Sequence, residues 1–86
     1  MQTKYNIGDM VYVSDVKESK IYMGTIHEIF IGDDVITYKV SYACYKEKYC
    51  HPTFEEARAY LIKYIYAQFQ GKLDKVLALK DVEKAN

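Results

Sequence analysis

The 86-residue sequence has no tryptophan, two cysteines and no excess of either charge. Two cysteines are too few for the disulfide frameworks that support many small secreted domains. The zero net charge, from twelve basic and twelve acidic side chains, argues against a dominant electrostatic attraction to nucleic acid or to an anionic membrane. Neither half departs far from neutrality: residues 1–43 carry four basic and six acidic side chains, a net of −2, and residues 44–86 carry eight and six, a net of +2.

Long hydrophobic runs are also absent. No segment approaches the roughly 20 apolar residues of a transmembrane helix, and the first residues lack the continuous apolar stretch of a signal peptide. We therefore expect a cytoplasmic protein with no membrane partner. The sequence contains no internal repeat and no low-complexity linker, and its length predicts one domain over residues 1–86.

Tyrosine is the residue type that the sequence has in excess. Hydrophobic residues make up 50% of the chain, which sets it apart from disordered sequences, and ten residues are tyrosines. Tyrosine combines a large apolar ring with a hydrogen-bonding tip and is therefore common in half-buried strands and at protein interfaces.

The strongest local signal predicts a helix over residues 53–70. Thr53 is a good N-cap, and Glu56, three residues later, completes the spacing of a capping box. Gly71 is a natural stop, because glycine readily takes the left-handed conformation that closes a helix. A weaker helical pattern follows over residues 73–82.

The main helix has an apolar arc of roughly half its circumference, wider than the roughly 100° stripe that packing on one side requires. We expect its inner stripe to lie on a sheet. We expect the flank formed by Tyr60, Tyr64 and Ala67 to contact a partner or a second copy of the chain. The alternative is that the chain itself covers this flank.

Alternating apolar residues before the helix predict strands at residues 10–14, 21–31 and 35–43. Gly24 in the second strand indicates a bulge or a bend. The segment 45–49 is expected to be a turn, with its strand partner running to His51. Gly32-Asp33-Asp34 predicts the hairpin turn after the second strand, and the core face of the third strand is expected to carry Ile36, Tyr38, Val40 and Tyr42.

Short sequential strands of this kind are expected to form a bent antiparallel sheet that curls into a small barrel or half-barrel, with the helix covering an open end. The predicted fold class is α+β. It consists of a small antiparallel β-barrel of four to five strands over residues 5–51, followed by one long and one short C-terminal helix.

Three segments together resemble a known type of barrel: Ile7-Gly8-Asp9-x-Val11-x-Val13, Gly24-x-Ile26-x-x-Ile29 and Tyr38-x-Val40. The pattern is similar to that of the small SH3-like barrels, which include Tudor and KOW-type modules and short uncharacterised phage and mobile-element proteins. The resemblance covers roughly residues 5–51. Its phage and mobile-element members imply one concrete function, the inhibition of a host defence or regulatory complex.

The resemblance to Tudor-like barrels also implies a possible cage of aromatic rings, since such barrels bind methylated ammonium groups between ring faces. Tyr12, Tyr22, Tyr38 and Tyr42 are the candidate rings. The alternative is that Tyr38 and Tyr42 belong to the core and that the other two are ordinary strand tyrosines.

Cys44, Cys50 and His51, with His27 elsewhere, are the candidates for a zinc site or a Cys–His nucleophile. Their spacing matches no recognised zinc motif, so two small hydrophobic side chains and a turn histidine are the favoured interpretation. A hairpin at 45–49 would place Cys44 opposite Cys50, but a cytoplasmic setting disfavours a disulfide. We expect no metal, no cofactor and no enzymatic activity.

Tyr45, Lys46, Lys48 and Tyr49 form the densest lysine–tyrosine cluster. Aromatic rings interleaved with lysines can stack bases and hold phosphates, although Glu47 lies within the cluster. Our leading hypothesis is a non-enzymatic protein-binding module that contacts a larger protein, or a second copy of itself, through an exposed edge strand and the helix flank. The lysine–tyrosine cluster is included among the candidate partner-binding residues. The alternative is a nucleic-acid-binding accessory protein that uses the lysine–tyrosine hairpin.

Overall fold

The computed structural model describes residues 2–67 and the backbone of residues 83 and 84. The fold class is α+β, as predicted, with five antiparallel strands curled into a half-barrel and one helix in the described residues. This architecture is compatible with an SH3-like fold. The elements are β1 (Met10–Asp15), β2 (Lys20–Ile31), β3 (Ile36–Val40), β4 (Ala43–Lys46), a 3₁₀ helix (Glu47–Tyr49), β5 (Cys50–His51), α1 (Phe54–Tyr66) and β6 (Glu83–Lys84).

The long strand β2 organises the sheet, whose strand order is β4-β3-β2-β1-β5. Its first half pairs with β1 and its second half with β3, so one strand belongs to both parts of the curled sheet. The register shifts between Ile26 and Glu28. The bulge that the sequence suggested at Gly24 therefore lies at His27, and Gly24 itself pairs regularly with Val11.

The strand β6 is a further difference from the sequence prediction, which placed no strand after the main helix. This strand runs parallel to β2, with Glu83 paired to Tyr22 and Lys84 paired to Met23. A strand of two residues is too short to show a periodic pattern, so β6 could not be predicted from the local sequence.

The interior of the half-barrel holds the first of two hydrophobic cores. The alternating residues of β1 and β3 point into it, as predicted for three of the four β3 residues. Its buried members are Val11, Val13, Ile26, Ile36, Tyr38, Val40 and Cys50.

The second core lies between α1 and the outer face of the β1–β2 pair, and it consists of Ile21, Ala57, Leu61 and Ile65. Ser14, 1% exposed, also faces the helix, and its Oγ donates a hydrogen bond of 2.7 Å to the Ala57 carbonyl. The inner stripe of the helix thus lies on a sheet, as predicted. The prediction that the helix covers an open end of the barrel was wrong, because α1 packs on the outside of the sheet.

The start of α1 agrees with its sequence signals. Thr53 is the N-cap, and its Oγ1 accepts a hydrogen bond of 3.1 Å from the Glu56 backbone N–H. The predicted end of this helix at residue 70 and the weaker helix predicted at 73–82 lie outside the described residues.

The segment after β3 differs most from the prediction. Ser41 has φ of 58°, in the left-handed region, and the chain reverses there so that Val40 pairs with Ala43. Tyr42 consequently lies on the turn and is 84% exposed, not in the core. The predicted turn at 45–49 was also wrong in part, since β4 runs to Lys46.

Within the described residues, no helix is long and apolar enough to cross a lipid bilayer.

Candidate protein-binding surface

A groove of about 450 Å³ lies between β4 and the end of β1 with its following turn. From the β1 side it is lined by Asp15 and Val16, and from the other side by Cys44, Tyr45 and Lys46, with Tyr49 of the 3₁₀ helix. The groove therefore contains three of the four residues of the predicted lysine–tyrosine cluster.

The strand β4 is the last strand in the sheet order and pairs with β3 along one side. Within residues 2–67 and 83–84, no backbone hydrogen bond occupies its other side. An edge strand of this kind presents unpaired N–H and C=O groups to which an extended segment of another chain can add. The Lys46 carbonyl at the end of β4 accepts a hydrogen bond of 3.8 Å from Cys50 Sγ. In the described part of the chain, the groove thus combines a strand edge that has no partner strand with aromatic side chains.

The Asp15 carboxylate holds the turn that follows β1 and forms one side of the groove. Asp15 Oδ1 accepts hydrogen bonds from the Lys17 and Glu18 backbone N–H groups, at 3.1 and 3.0 Å. Across the groove, burial raises the pKa of Tyr45, and the nearby negative charges of Asp15 and Glu18 raise it further. Tyr45 is therefore a neutral phenol at physiological pH, with an apolar ring and a polar tip.

A second group of aromatic side chains, the tyrosine cluster, lies where the chain enters α1. It consists of Tyr49, His51, Tyr60 and Tyr64. The Tyr60 ring contacts Tyr49 edge to face at 5.8 Å between centroids, His51 at 5.2 Å and Tyr64 in a stacked arrangement at 6.4 Å. Lys48 Nζ lies 5.1 Å from the centre of the Tyr49 ring.

Tyr49 belongs to both groups, so the groove and the tyrosine cluster form one continuous surface. This surface contains five of the seven residues that the sequence proposed for partner binding, and a sixth, Lys48, lies beside it near the Tyr49 ring. The exception is Ala67, the exposed C-cap of α1. Tyr60 and Tyr64 are only half-exposed, because their rings pack on one another and on neighbouring side chains. The chain thus covers part of the flank that was expected to be free.

His51 is the one member of the tyrosine cluster that the sequence did not connect with the tyrosines. Its Nε2 atom is buried and has no hydrogen-bond partner among the described residues. Burial lowers the pKa of His51, the Lys4 charge lowers it further and the Glu56 carboxylate opposes both. The ring therefore remains neutral at physiological pH, and its face packs against Tyr60.

The two cysteines do not come together. Cys44 is exposed on β4, whereas Cys50 is buried in the interior core, and both are free thiols. The possibility that they face each other across a hairpin was wrong, since β4 pairs with β3 and β5 pairs with β1. Burial raises the pKa of Cys50 to about 12, and the Glu47 charge adds to the shift.

The zinc hypothesis likewise finds no geometry to support it: among the described residues, no three His, Cys, Asp or Glu side chains lie close enough together to hold a metal ion.

The four candidate cage tyrosines are divided among three different environments. Tyr12 packs against the helix core, Tyr22 and Tyr38 pack in or against the interior core, and Tyr42 is exposed on a turn. The alternative of ordinary strand and core tyrosines therefore holds for three of the four, and Tyr42 is a turn residue.

Tyr38 instead fastens the N-terminal segment to the barrel. Its hydroxyl donates a hydrogen bond to Glu47 and accepts hydrogen bonds from the Lys4 and Tyr5 backbone N–H groups, at 3.2 and 3.3 Å. Burial raises the pKa of Tyr38 to about 12, and the hydrogen bond to Glu47 contributes. The Glu47 carboxylate is thus turned toward Tyr38, and Glu47 is half-buried.

Comparison of the chain with protein-family models, with curated proteins and with solved structures gives no significant match.

Proposed function

We propose that this protein is a non-enzymatic protein-binding module that holds an extended segment of a partner protein along the free edge of β4. The observation that carries the proposal is the position of this edge beside a groove walled by Tyr45 and Tyr49. Backbone hydrogen bonds along the edge supply affinity in this mode of recognition, and the flanking side chains supply specificity.

The length of β4 sets the size of the bound segment. Four residues at about 3.3 Å per residue extend over about 13 Å, so the edge pairs with three or four residues of the partner. Binding energy at protein interfaces concentrates in a few aromatic and arginine side chains. Tyr49, with the adjoining Tyr60 and Tyr64, supplies such an aromatic anchor next to the strand edge.

The environment of the only two thiols supports a non-enzymatic role. Cys50 packs inside the half-barrel while His51 contacts Tyr60 on the outside, so the adjacent Cys–His pair does not form a nucleophile and base. A thiol with a pKa of about 12 is protonated at neutral pH and is a poor nucleophile.

The resemblance to short phage and mobile-element proteins supplies one specific form of the proposal. In that form the partner is a component of a host defence or regulatory complex, and the protein inhibits it by occupying a strand-binding surface in the cytoplasm. This form depends on the sequence pattern of residues 5–51 alone.

One observation favours the alternative, a nucleic-acid-binding accessory protein. Glu47 lies between Lys46 and Lys48 in the sequence, but its carboxylate bonds to Tyr38 and to the Lys4 backbone N–H. Both lysines are exposed, so their ammonium groups are accessible to phosphate groups while the Glu47 carboxylate is engaged with Tyr38. The zero net charge of the chain remains the argument against this alternative.

The test is a selection of dodecapeptides from a random library on the immobilised protein, followed by titration of the selected peptides into ¹⁵N-labelled protein. Peptides that bind as proposed shift the backbone amide resonances of Ala43–Lys46 and Tyr49. Alkylation of the exposed Cys44 with N-ethylmaleimide fills the groove and should abolish binding, while Cys50 is protected by burial. The Cys44→Ser variant is the matched control, because it should bind the peptides before and after the same treatment.

Two outcomes would contradict the proposal: selected peptides whose resonance shifts lie away from β4, or binding that survives alkylation of the wild-type protein. The nucleic-acid alternative is tested in parallel with a single-stranded oligonucleotide. Under that alternative, affinity falls steeply with salt and is lost in the Lys46→Glu, Lys48→Glu double variant.

A further inference from the structure

The outward face of α1 carries opposite charges at its two ends and a small residue between them. Glu55, Ala59 and Lys63 are spaced four residues apart, so they lie on one stripe of the helix. All three are exposed. The apolar side chains of Ile62 and Tyr66 border this stripe, and Tyr66 is 71% exposed. We call these five residues the outward stripe.

The outward stripe encloses a shallow concavity of about 420 Å³ with Ala59 among the residues that line it. The lining residues fall into two overlapping sets with the spacing i, i+3, i+4, i+7: residues 55, 58, 59 and 62, and residues 59, 62, 63 and 66. Four residues with this spacing form the hole that receives a side chain from a second helix in knobs-into-holes packing. The shape of the surface therefore fits another helix.

The charges identify which helix fits. A two-fold axis through Ala59 relates two antiparallel copies of α1 and places Glu55 of each copy opposite Lys63 of the other. Both ion pairs arise from the same operation, as an isologous interface requires. A parallel arrangement would instead place like charges together. Arg58 also lines the concavity, beside Ala59, so the same operation brings two guanidinium groups to one side of the axis and opposes these ion pairs. The complementarity to a second copy, in one orientation, is therefore that of Glu55 and Lys63.

We infer that the outward stripe of α1 binds a second copy of this chain in an antiparallel, two-fold helix pair. The inference does not rest on the proposed function, because the groove and the tyrosine cluster use other faces of the molecule. With 13 residues α1 is about 20 Å long, so the interface is small. The expected assembly is a weak dimer whose population rises with concentration.

The experiment is analytical ultracentrifugation of the full chain from about 10 µM to about 1 mM, at low salt and with a reducing agent that keeps Cys44 from linking copies. Wild-type protein should shift from monomer to dimer over this range. Glu55→Lys and Lys63→Glu each replace two attractive contacts with two repulsive ones, so each should weaken dimerisation by about tenfold. Far-ultraviolet circular dichroism verifies that each variant keeps the helix.

An equimolar mixture of the two variants is the decisive arm. In the mixed pair each protomer meets the opposite charge at both contacts, so the mixture should recover the affinity of the wild type. Asp33→Lys, on the β2–β3 turn, is the control for adding a lysine in place of an acid elsewhere, and it should leave dimerisation unchanged. A wild-type monomer across the whole range, or a dimer that is insensitive to both reversals, or a mixture that fails to recover, would overturn the inference.

Discussion

His51 is a titratable residue whose environment disfavours its charged form. Its ring lies among tyrosines, and its buried Nε2 atom has no hydrogen-bond partner in the described residues. Its pKa in the folded state lies below the ordinary value of 6.5, mainly because burial disfavours the charged ring. The unfolded chain therefore binds a proton at His51 more readily than the folded chain does. It follows that acidification below about pH 6.5 destabilises the fold through this residue.

We predict that the free energy of unfolding falls between about pH 7 and pH 5, and that His51→Phe reduces this fall because it keeps a ring against Tyr60 without a titratable group. The measurement is urea unfolding of both proteins at the two pH values. Carboxylates that do not interact with His51 titrate in both proteins and cancel in the comparison, whereas the effect of the nearby Glu56 belongs to the His51 contribution. An equal loss of stability in the two proteins would show that the titration of His51 does not contribute to the pH dependence of the free energy of unfolding.

Tyr38 and Tyr42 show how far alternation alone predicts the position of a residue. Both were assigned to the core face of one strand, and Tyr38 is fully buried as expected. Tyr42 is exposed because Ser41 takes a left-handed conformation that ends the strand. Serine seldom adopts that conformation, so the residue type at position 41 did not indicate a turn.

At the scale of elements, the contact between β1 and α1 depends on a buried hydrogen bond as well as on apolar packing. Ser14 Oγ donates to the Ala57 carbonyl at 2.7 Å, and both residues are almost fully buried. We predict that Ser14→Ala lowers the free energy of unfolding by about 1 kcal/mol, the usual net contribution of one such hydrogen bond. Chemical denaturation of the two proteins measures this difference.

Ser14→Thr is the matched variant, because it retains the hydroxyl and adds a methyl group in a tightly packed place. If Ser14→Ala were as stable as the wild type, the hydrogen bond would contribute nothing to the docking of the helix. If Ser14→Thr were the less stable variant, crowding at this contact would outweigh the hydrogen bond.

The helix could be predicted and the strand pairings after β3 could not, because the helix depends on neighbouring residues and the pairings join residues far apart in the sequence. Capping and periodicity are local, so Thr53, Glu56 and the buried stripe of α1 determine its position from neighbouring residues. The pairing of β5 with β1 joins residues about 38 positions apart, Tyr12 with His51 and Val13 with Cys50. The same holds for the groove, since Asp15 and Val16 reach β4 only through the curl of the sheet.

At the scale of the whole molecule, the sheet is covered on both faces where β1 pairs with β2. The interior core fills the half-barrel on one side, and α1 covers the other. This arrangement leaves two surfaces exposed, and we propose that both contact other chains: the continuous surface of the β4 groove and the tyrosine cluster, and the outward stripe of α1. A dimer formed through the outward stripe would carry two copies of the β4 groove, so two linked sites on a partner would be bound with increased avidity.

The central claim is that β4 and the tyrosine cluster bind a protein. The most direct test is affinity purification of the tagged protein from cells of its native host, with and without nuclease, beside the Cys44→Arg variant. This substitution places a bulky charged side chain in the groove at an exposed position, so it spares both cores. Mass spectrometry and ultraviolet absorbance identify what is recovered.

The account predicts a stoichiometric protein partner that survives nuclease treatment and is lost from Cys44→Arg. A partner retained equally by Cys44→Arg, or nucleic acid recovered together with proteins that disappear on nuclease treatment, would contradict it.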